Sequence, residues 1–205
     1  MNHVASAQAG AYFAYRSRLI DVMCPSLRWG DGEYMTTIAP TLLTDRLSIE
    51  PMSLAHWEDY AAAWADPRMT AFIGGEPRSR NVSWGKMLQG IGMWSLLGYG
   101  YWSFVERASG RFVGNGGLAQ FERGIQELHG FPEAGWAFTP DAWGKGYATE
   151  AMTAILNWAD GQGLGEIRCI IDTGNTASHN VAGKLGFAKF AESHDVIGDL
   201  FIYRR

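Results

Sequence analysis

An α/β fold, with strands gathered in one sheet and helices packed against it, is what this sequence predicts. Three observations lead there. Short apolar runs of strand character alternate with longer stretches whose apolar residues recur at helical spacing. A glycine-rich turn, Trp143-Gly144-Lys145-Gly146, runs straight into the most regular of those helical stretches. The chain of 205 residues, 47% hydrophobic and 19% charged, has the length and composition of a globular protein.

The elements follow in order from Met35 onward. Leu47-Ser48-Ile49-Glu50-Pro51 predicts a first strand. Ser53 is expected to cap a helix carrying Leu54, Trp57, Tyr60, Ala61 and Trp64 on one face. Gly74-Gly75 and Pro77 mark a loop, and a second helix is expected from Asn81 to about Leu97, with Trp84, Met87, Ile91 and Trp94. Tyr99 to Glu106 and Arg111 to Phe121 read as a hairpin around Ala108-Ser109-Gly110. Glu133 to Phe138 is the fourth strand. A long helix then starts at Gly146, with Ala148, Ala151, Met152, Ile155, Leu156 and Ala159 on one face. The strand Glu166–Asp172, a short helix near Ser178–Leu185, and strands around Phe187–Phe190 and Leu200–Tyr203 complete the reading.

Residues 1–34 differ from the rest. They have mixed polarity, no clear period and no secretory apolar core. Gly30-Asp31 and Gly32-Glu33 require purine-rich codons just upstream of Met35, where a bacterial ribosome-binding site would stand. Met35 is therefore expected as the natural start and residues 1–34 as a start-site misassignment; a genuine N-terminal arm is the alternative. A peptide from residues 1–34 in a mass spectrum of the native protein decides for the arm.

The glycine turn carries the strongest chemical signal. Gly144 and Gly146 let the backbone approach a ligand and adopt positive φ. The helix start behind them has unpaired N–H groups and a positive dipole end, and Lys145 adds a charge. Together they read as a site for a phosphate or diphosphate. A Walker loop is excluded, because Thr139 and Gly146 stand where Gly and Ser or Thr are needed. A dinucleotide fingerprint is excluded by Thr149 at its sixth position.

These residues resemble a family. Trp143-Gly144-Lys145-Gly146-Tyr147-Ala148 is similar to the cofactor loop of the GNAT N-acetyltransferases, with Trp143 in the place of the usual Arg or Gln. The longer string through Thr149-Glu150-Ala151 resembles the RimJ/RimL-like branch. Asn175-Thr176-Ala177-Ser178 followed by Lys184-Leu185-Gly186-Phe187 matches a second block, and Glu133-Ala134-Gly135-Trp136 a third. The resemblance begins near Thr44-Asp45-Arg46-Leu47 and reaches the C-terminus, so residues 35–205 are expected to form the N-acetyltransferase domain.

The resemblance implies a mixed, splayed sheet of six or seven strands with helices on both faces. It implies transfer of an acetyl group from acetyl-CoA to a primary amine by direct attack in a ternary complex, the amine being a protein N-terminus, a polyamine-like or amino-acid-like metabolite, or an amine antibiotic. The pantetheine arm is then expected to pair with the backbone of Trp136, Ala137 and Phe138. The diphosphate is expected on the amides of Gly144, Lys145, Gly146, Tyr147, Ala148 and Thr149. Asn175 corresponds to a cofactor-contacting Asn, with helix capping as its other role. Glu133 corresponds to an acidic residue that serves as base. The Tyr acid common in the family is replaced by Ala182, which leaves Ser178 as the candidate acid or leaves the role vacant. Trp57, Trp64, Trp84 and Trp94 lie on the two early helices that flank the acceptor channel in such a fold; most are expected in the core, but at least one is expected to line the channel, with Trp57, Trp84 and Trp94 as the substrate-binding candidates. A catalytically silent acyl-CoA-binding module is the competing reading, and the missing Tyr favours it.

Composition bounds the partners. A formal charge of −4 leaves no basic footprint for nucleic acid. No apolar run approaches the ~20 residues of a membrane span. The five histidines show no metal-ligand spacing, so no metal is expected. Two cysteines, Cys24 and Cys169, fit a reducing cytoplasm rather than a disulfide framework, and Cys169 lies in a run that reads as a buried strand. Most of the nine tryptophans are expected in the core. A monomer or homodimer is expected.

Overall fold

The structure is a computed structural model and describes residues 38–195 and 198–205. The expectations for residues 1–34, Cys24 and the Met35 start lie outside the described residues.

Eight strands form one sheet in the order β1-β2-β3-β4-β5-β6-β8-β7. They are β1 (Leu42–Leu43), β2 (Leu47–Pro51), β3 (Tyr101–Glu106), β4 (Phe112–Ala119), β5 (Glu133–Phe138), β6 (Arg168–Asp172), β7 (Ala188–Asp195) and β8 (Gly198–Arg204). The helices are α1 (Trp57–Trp64), α2 (Pro67–Thr70), α3 (Arg80–Leu97), α4 (Tyr147–Gly161) and α5 (Thr176–Lys184). Every neighbouring pair is antiparallel except β5 and β6, which run parallel. The eighth strand, β1, is a two-residue pairing with β2, too short to leave a period in the sequence.

Local chemistry sets the helix ends. Ser53 does not cap α1: its side chain makes no capping bond, and a turn of 3-10 helix over Leu54–His56 precedes the α-helix. Ser79 starts α3 instead, its Oγ accepting the Val82 N–H at 3.3 Å. Gly98 ends α3 in the left-handed conformation. Asp66 caps the short α2, which has too few residues to show a period, by accepting the Arg68 N–H at 2.8 Å.

Strand alternation separates the two largest of three apolar clusters. Val113 and Phe138 turn to the face covered by α4, with Trp102, Phe104, Met152 and Ile155. Phe112 and Ala137 turn to the other face, with Tyr60, Trp64 and Met87. Trp94, Trp102 and Trp158 meet edge to face, with ring centroids 4.5, 5.4 and 5.3 Å apart. Cys169 is buried in the first core, and burial, then the charge of Glu133, pushes its thiol well above the ordinary range.

Candidate active site

The sheet opens at its middle. β5 pairs with β4 along its whole length, from Ala119↔Glu133 to Gly114↔Phe138. Toward β6 it pairs at one position only, Glu133↔Arg168. Beyond that point the two parallel strands diverge, and β5 has an unpaired backbone edge.

Alternation decides which groups lie on that edge. The Pro132 carbonyl accepts the Arg168 N–H at 2.9 Å, so it points toward β6. Residues of the same parity, Ala134, Trp136 and Phe138, point the same way. Ala137 points the other way, its carbonyl lying 2.3 Å from where a Cβ on Gly114 of β4 would be. Of the three residues expected to pair with a ligand strand, Ala137 therefore turns its backbone to β4. Phe138 already accepts the Trp143 indole N–H at 2.7 Å. Trp136 is left with its backbone facing the opening.

The glycine turn stands past the C-terminal end of β5. Gly144 and Gly146 have φ of 72° and 78°, the left-handed region, and Gly146 is the N-cap of α4. The amides of Tyr147, Ala148 and Thr149 are the first three of that helix and have no intrahelical acceptor. The turn is held from outside itself. Arg46 Nη1 donates to the Lys145 carbonyl at 2.8 Å, and Arg46 Nε donates to Glu150 at 2.7 Å. Thr44 Oγ1 donates to the same carboxylate at 2.6 Å. The Arg46 guanidinium lies 4.7 Å from the centre of the Tyr147 ring, whose hydroxyl donates to Glu106.

A cleft of about 690 Å³ enters the opening between the two cores. Glu133, Trp136, Ala137, Asn175 and Ser178 line it, whereas residues 144–149 lie outside it. Glu133 is buried, and each of its oxygens accepts an N–H of Arg123 at 2.9 Å. This ion pair was not foreseen, because Arg123 comes from the loop after β4. Asn175 caps α5, its Oδ1 accepting the Ser178 N–H at 3.0 Å. Ala182, at the position of the family's Tyr, is wholly buried in the first core.

Of the four tryptophans on the early helices, Trp57, Trp84 and Trp94 do not line this cleft. Trp94 faces the first core and donates its indole N–H to the Tyr101 carbonyl at 3.2 Å. Trp57 and Trp84 pack against each other, edge to face, with centroids 5.0 Å apart. Trp64 is the exception; it lines the cleft and donates to the buried Asn115 Oδ1 at 3.0 Å. Helical period marks an apolar face but not which core receives it.

Three further groups that the sequence reading did not assign to the site meet here. Tyr101 lies over β5 so closely that a Cβ on Gly135 would stand 2.3 Å from its hydroxyl. Burial first, then the charge of Glu133, pushes the Tyr101 phenol well above its ordinary range, so it stays protonated. Burial pushes Tyr60 up to about 12, against the opposing charge of Arg78. Arg78 itself lies flat on the Trp64 ring, 3.5 Å from its centre. No group of metal-ligating side chains occurs among the described residues, and no described helix is long and apolar enough to cross a membrane.

Comparison with known proteins places this geometry. A Bacillus licheniformis protein named p20, described as an uncharacterized N-acetyltransferase, is 26% identical over 151 residues, which are 73% of this chain and 83% of that one. A Bordetella pertussis protein assigned to the GnaT acetyltransferase family is 27% identical with a TM-score of 0.73, covering 82% of this chain and 99% of its own. An Agrobacterium tumefaciens acetyltransferase is 25% identical with a TM-score of 0.70, covering 86% of this chain and 98% of its own. The family model for the acetyltransferase (GNAT) domain matches residues 46–188, which take in the Arg46 fork, the open edge of β5, the glycine turn and α5; the chain belongs to the GNAT acetyltransferase family.

Proposed function

We propose that the protein transfers the acetyl group of acetyl-CoA to a primary amine by direct attack in a ternary complex, in the manner of the RimJ/RimL-like branch that its glycine-turn sequence resembles. The observation that carries this reading is the open backbone edge of β5 leading away from the glycine turn toward Glu133. A pantetheine arm fits that edge as an added strand, pairing with Trp136. The diphosphate then rests on the amides from Gly144 to Thr149, where the helix dipole and Lys145 favour negative charge. Asn175 keeps its side-chain N–H₂ for the cofactor while its oxygen caps α5.

The reaction follows from that placement. The amine nitrogen attacks the thioester carbonyl, the C–S bond breaks, and the amine gives up one proton as the CoA thiolate gains one. Binding both reactants in one cleft supplies most of the acceleration through orientation. Glu133 takes the amine proton, directly or through a water, onto a carboxylate lone pair that Arg123 leaves open. Ser178, which lines the cleft at the start of α5, protonates the departing thiolate.

Purified protein, acetyl-CoA and a panel of amines test the reading through release of free thiol and the mass of the acetylated product. Tight acetyl-CoA binding with no thiol release on any amine leaves the silent acyl-CoA-binding module in its place.

A further inference from the structure

The cleft is unevenly charged. Arg78, from the loop between α2 and α3, and Lys86, on α3, both line it. Neither has a carboxylate partner among the described residues. Arg123 stands across from them and is neutralised by Glu133. The other lining carboxylate, Asp172, closes β6 on the far side of the opening and accepts the Gly174 N–H at 2.8 Å. The acceptor side of the cleft thus holds two cations with no anion of their own.

These cations are held in place. The Arg78 guanidinium carbon lies 3.5 Å from the centre of the Trp64 ring, and the Arg78 backbone N–H donates to the Trp64 carbonyl at 2.8 Å. Lys86 Nζ donates to Gln89 Oε1 at 3.2 Å. Desolvation first, then the charges of Arg78 and Arg123, hold the Lys86 ammonium below its ordinary range.

Resting on the acetyltransferase reading above, we propose that the acceptor is an amine that carries its own anionic group, a carboxylate or a phosphate, held by Arg78 and Lys86 while the amine points to Glu133. The planar fork of an arginine matches either anion through two parallel hydrogen bonds. The CoA diphosphate is a poor claimant for these cations. Its proposed seat lies past the far end of β5, about 17 Å of strand from Glu133. The same two cations disfavour an ammonium ion in their neighbourhood. They therefore hold the anionic end of the acceptor and help deliver its amine neutral, the form that attacks. A polyamine brings only positive charge and meets repulsion. An amino-acid-like metabolite is favoured over a polyamine-like one.

The test compares matched acceptors on the full-length protein. One arm sets amino acids against the amines that remain when their carboxylates are removed. A second sets phosphoethanolamine against ethanolamine and separates phosphate from carboxylate recognition. A third uses spermidine. At saturating acetyl-CoA we expect the anionic member of at least one pair to have the higher kcat/KM by tenfold or more, with spermidine the poorest. Lys86→Met, at an exposed position, should collapse that ratio several-fold, and Lys86→Glu should invert it. Equal or better turnover of the neutral and cationic amines by the unmodified protein overturns the proposal. If no amine releases thiol, the transferase reading fails separately. The anion site is then judged by calorimetry of N-acetyl amino acids against the matching N-acetyl amines on the CoA-bound protein. Tighter binding of the anionic member upholds it, and equal binding ends it.

Discussion

Arg46 and Glu150 stand 104 positions apart in the chain and close a fork at the start of α4, the Arg46 Nη2 lying 2.5 Å from one Glu150 oxygen. The same guanidinium holds the Lys145 carbonyl, so the two residues fix the backbone of the glycine turn from the side of β2. Loss of the fork should loosen the turn by roughly 1 kcal/mol, the upper range for an exposed pair with good geometry. Glu150→Gln discriminates two accounts. If the fork works by shaping the turn, the variant binds acetyl-CoA about fivefold more weakly. If only charge matters, removing a carboxylate from beside a diphosphate strengthens binding. Calorimetric titration reads the sign directly.

The turn also depends on its glycines. Gly146 has φ of 78°, and the nearest atom to an added Cβ is Arg46 Nη2 at 3.5 Å, so space is not the obstacle. Conformation is: a branched side chain resists left-handed backbone. Gly146→Val should lower acetyl-CoA affinity at least tenfold, about 1.4 kcal/mol, with a cooperative melting transition retained. Gly146→Asn, which tolerates that backbone, should lose much less. Equal affinity in Gly146→Val and the parent protein places the diphosphate elsewhere.

Acid should undo the same region. The Glu150 carboxyl is pushed up by its partial burial, but hydrogen bonds from Thr44 and Arg46 outweigh this and leave it below the ordinary range. The Ser109 hydroxyl, and then the Tyr147 hydroxyl, draw Glu106 down to about 2. A carboxyl lowered by folding adds stability at pH above its unfolded value, about 4.3, and that stability is lost as pH falls through the folded value. The melting temperature should therefore decline as pH drops from about 4.3 toward 2. Replacing both residues by Gln should flatten part of that decline. An unchanged acid slope in the double variant would show that other carboxylates set it.

What was legible in the sequence was local. A strand, a glycine turn and an amphipathic helix are neighbours in the chain, so β5 and the start of α4 were readable from period and backbone chemistry. The parts that were missed depend on contacts between distant residues. Arg123 meets Glu133 across a loop, and Arg46 meets Glu150 across most of the domain. The tryptophans show the same limit. Trp64 and Trp94 both sit on apolar helix faces, yet one lines the cleft and the other joins the opposite core. Only the packing of helix on sheet decides between them.

The tryptophans give a test of that distinction. Trp57 and Trp84 contact each other rather than the cleft, so truncating either to Ala should leave the relative rates for different amines unchanged. Trp64→Phe should alter them. It keeps a ring but removes the donor to Asn115 Oδ1, leaving a buried acceptor unpaired at a cost of about 1–3 kcal/mol. It also changes the surface on which Arg78 stacks. Amine selectivity that moves with Trp57 or Trp84 but not with Trp64 would put the acceptor on the other side of α1.

Glu133 and Ser178 separate base from acid. Glu133→Gln should keep acetyl-CoA affinity and lower kcat roughly 10²-fold, the low end of general base catalysis. The variant has a structural cost, since it leaves Arg123 without a counter-charge. Arg123 is about a third exposed, so the cost should be about 2 kcal/mol, short of the 3–5 kcal/mol for a fully buried pair. Arg123→Met separates the two effects: it breaks the pair but keeps the carboxylate, so kcat should fall much less than in Glu133→Gln. Ser178→Ala should lower kcat only about tenfold, a small share of a typical acid contribution, because a thiolate leaves fairly well without help. Full kcat in Glu133→Gln would move the base elsewhere. Proton removal would then rest on the positive field of Arg78 and Lys86, which favours an amine that arrives already neutral.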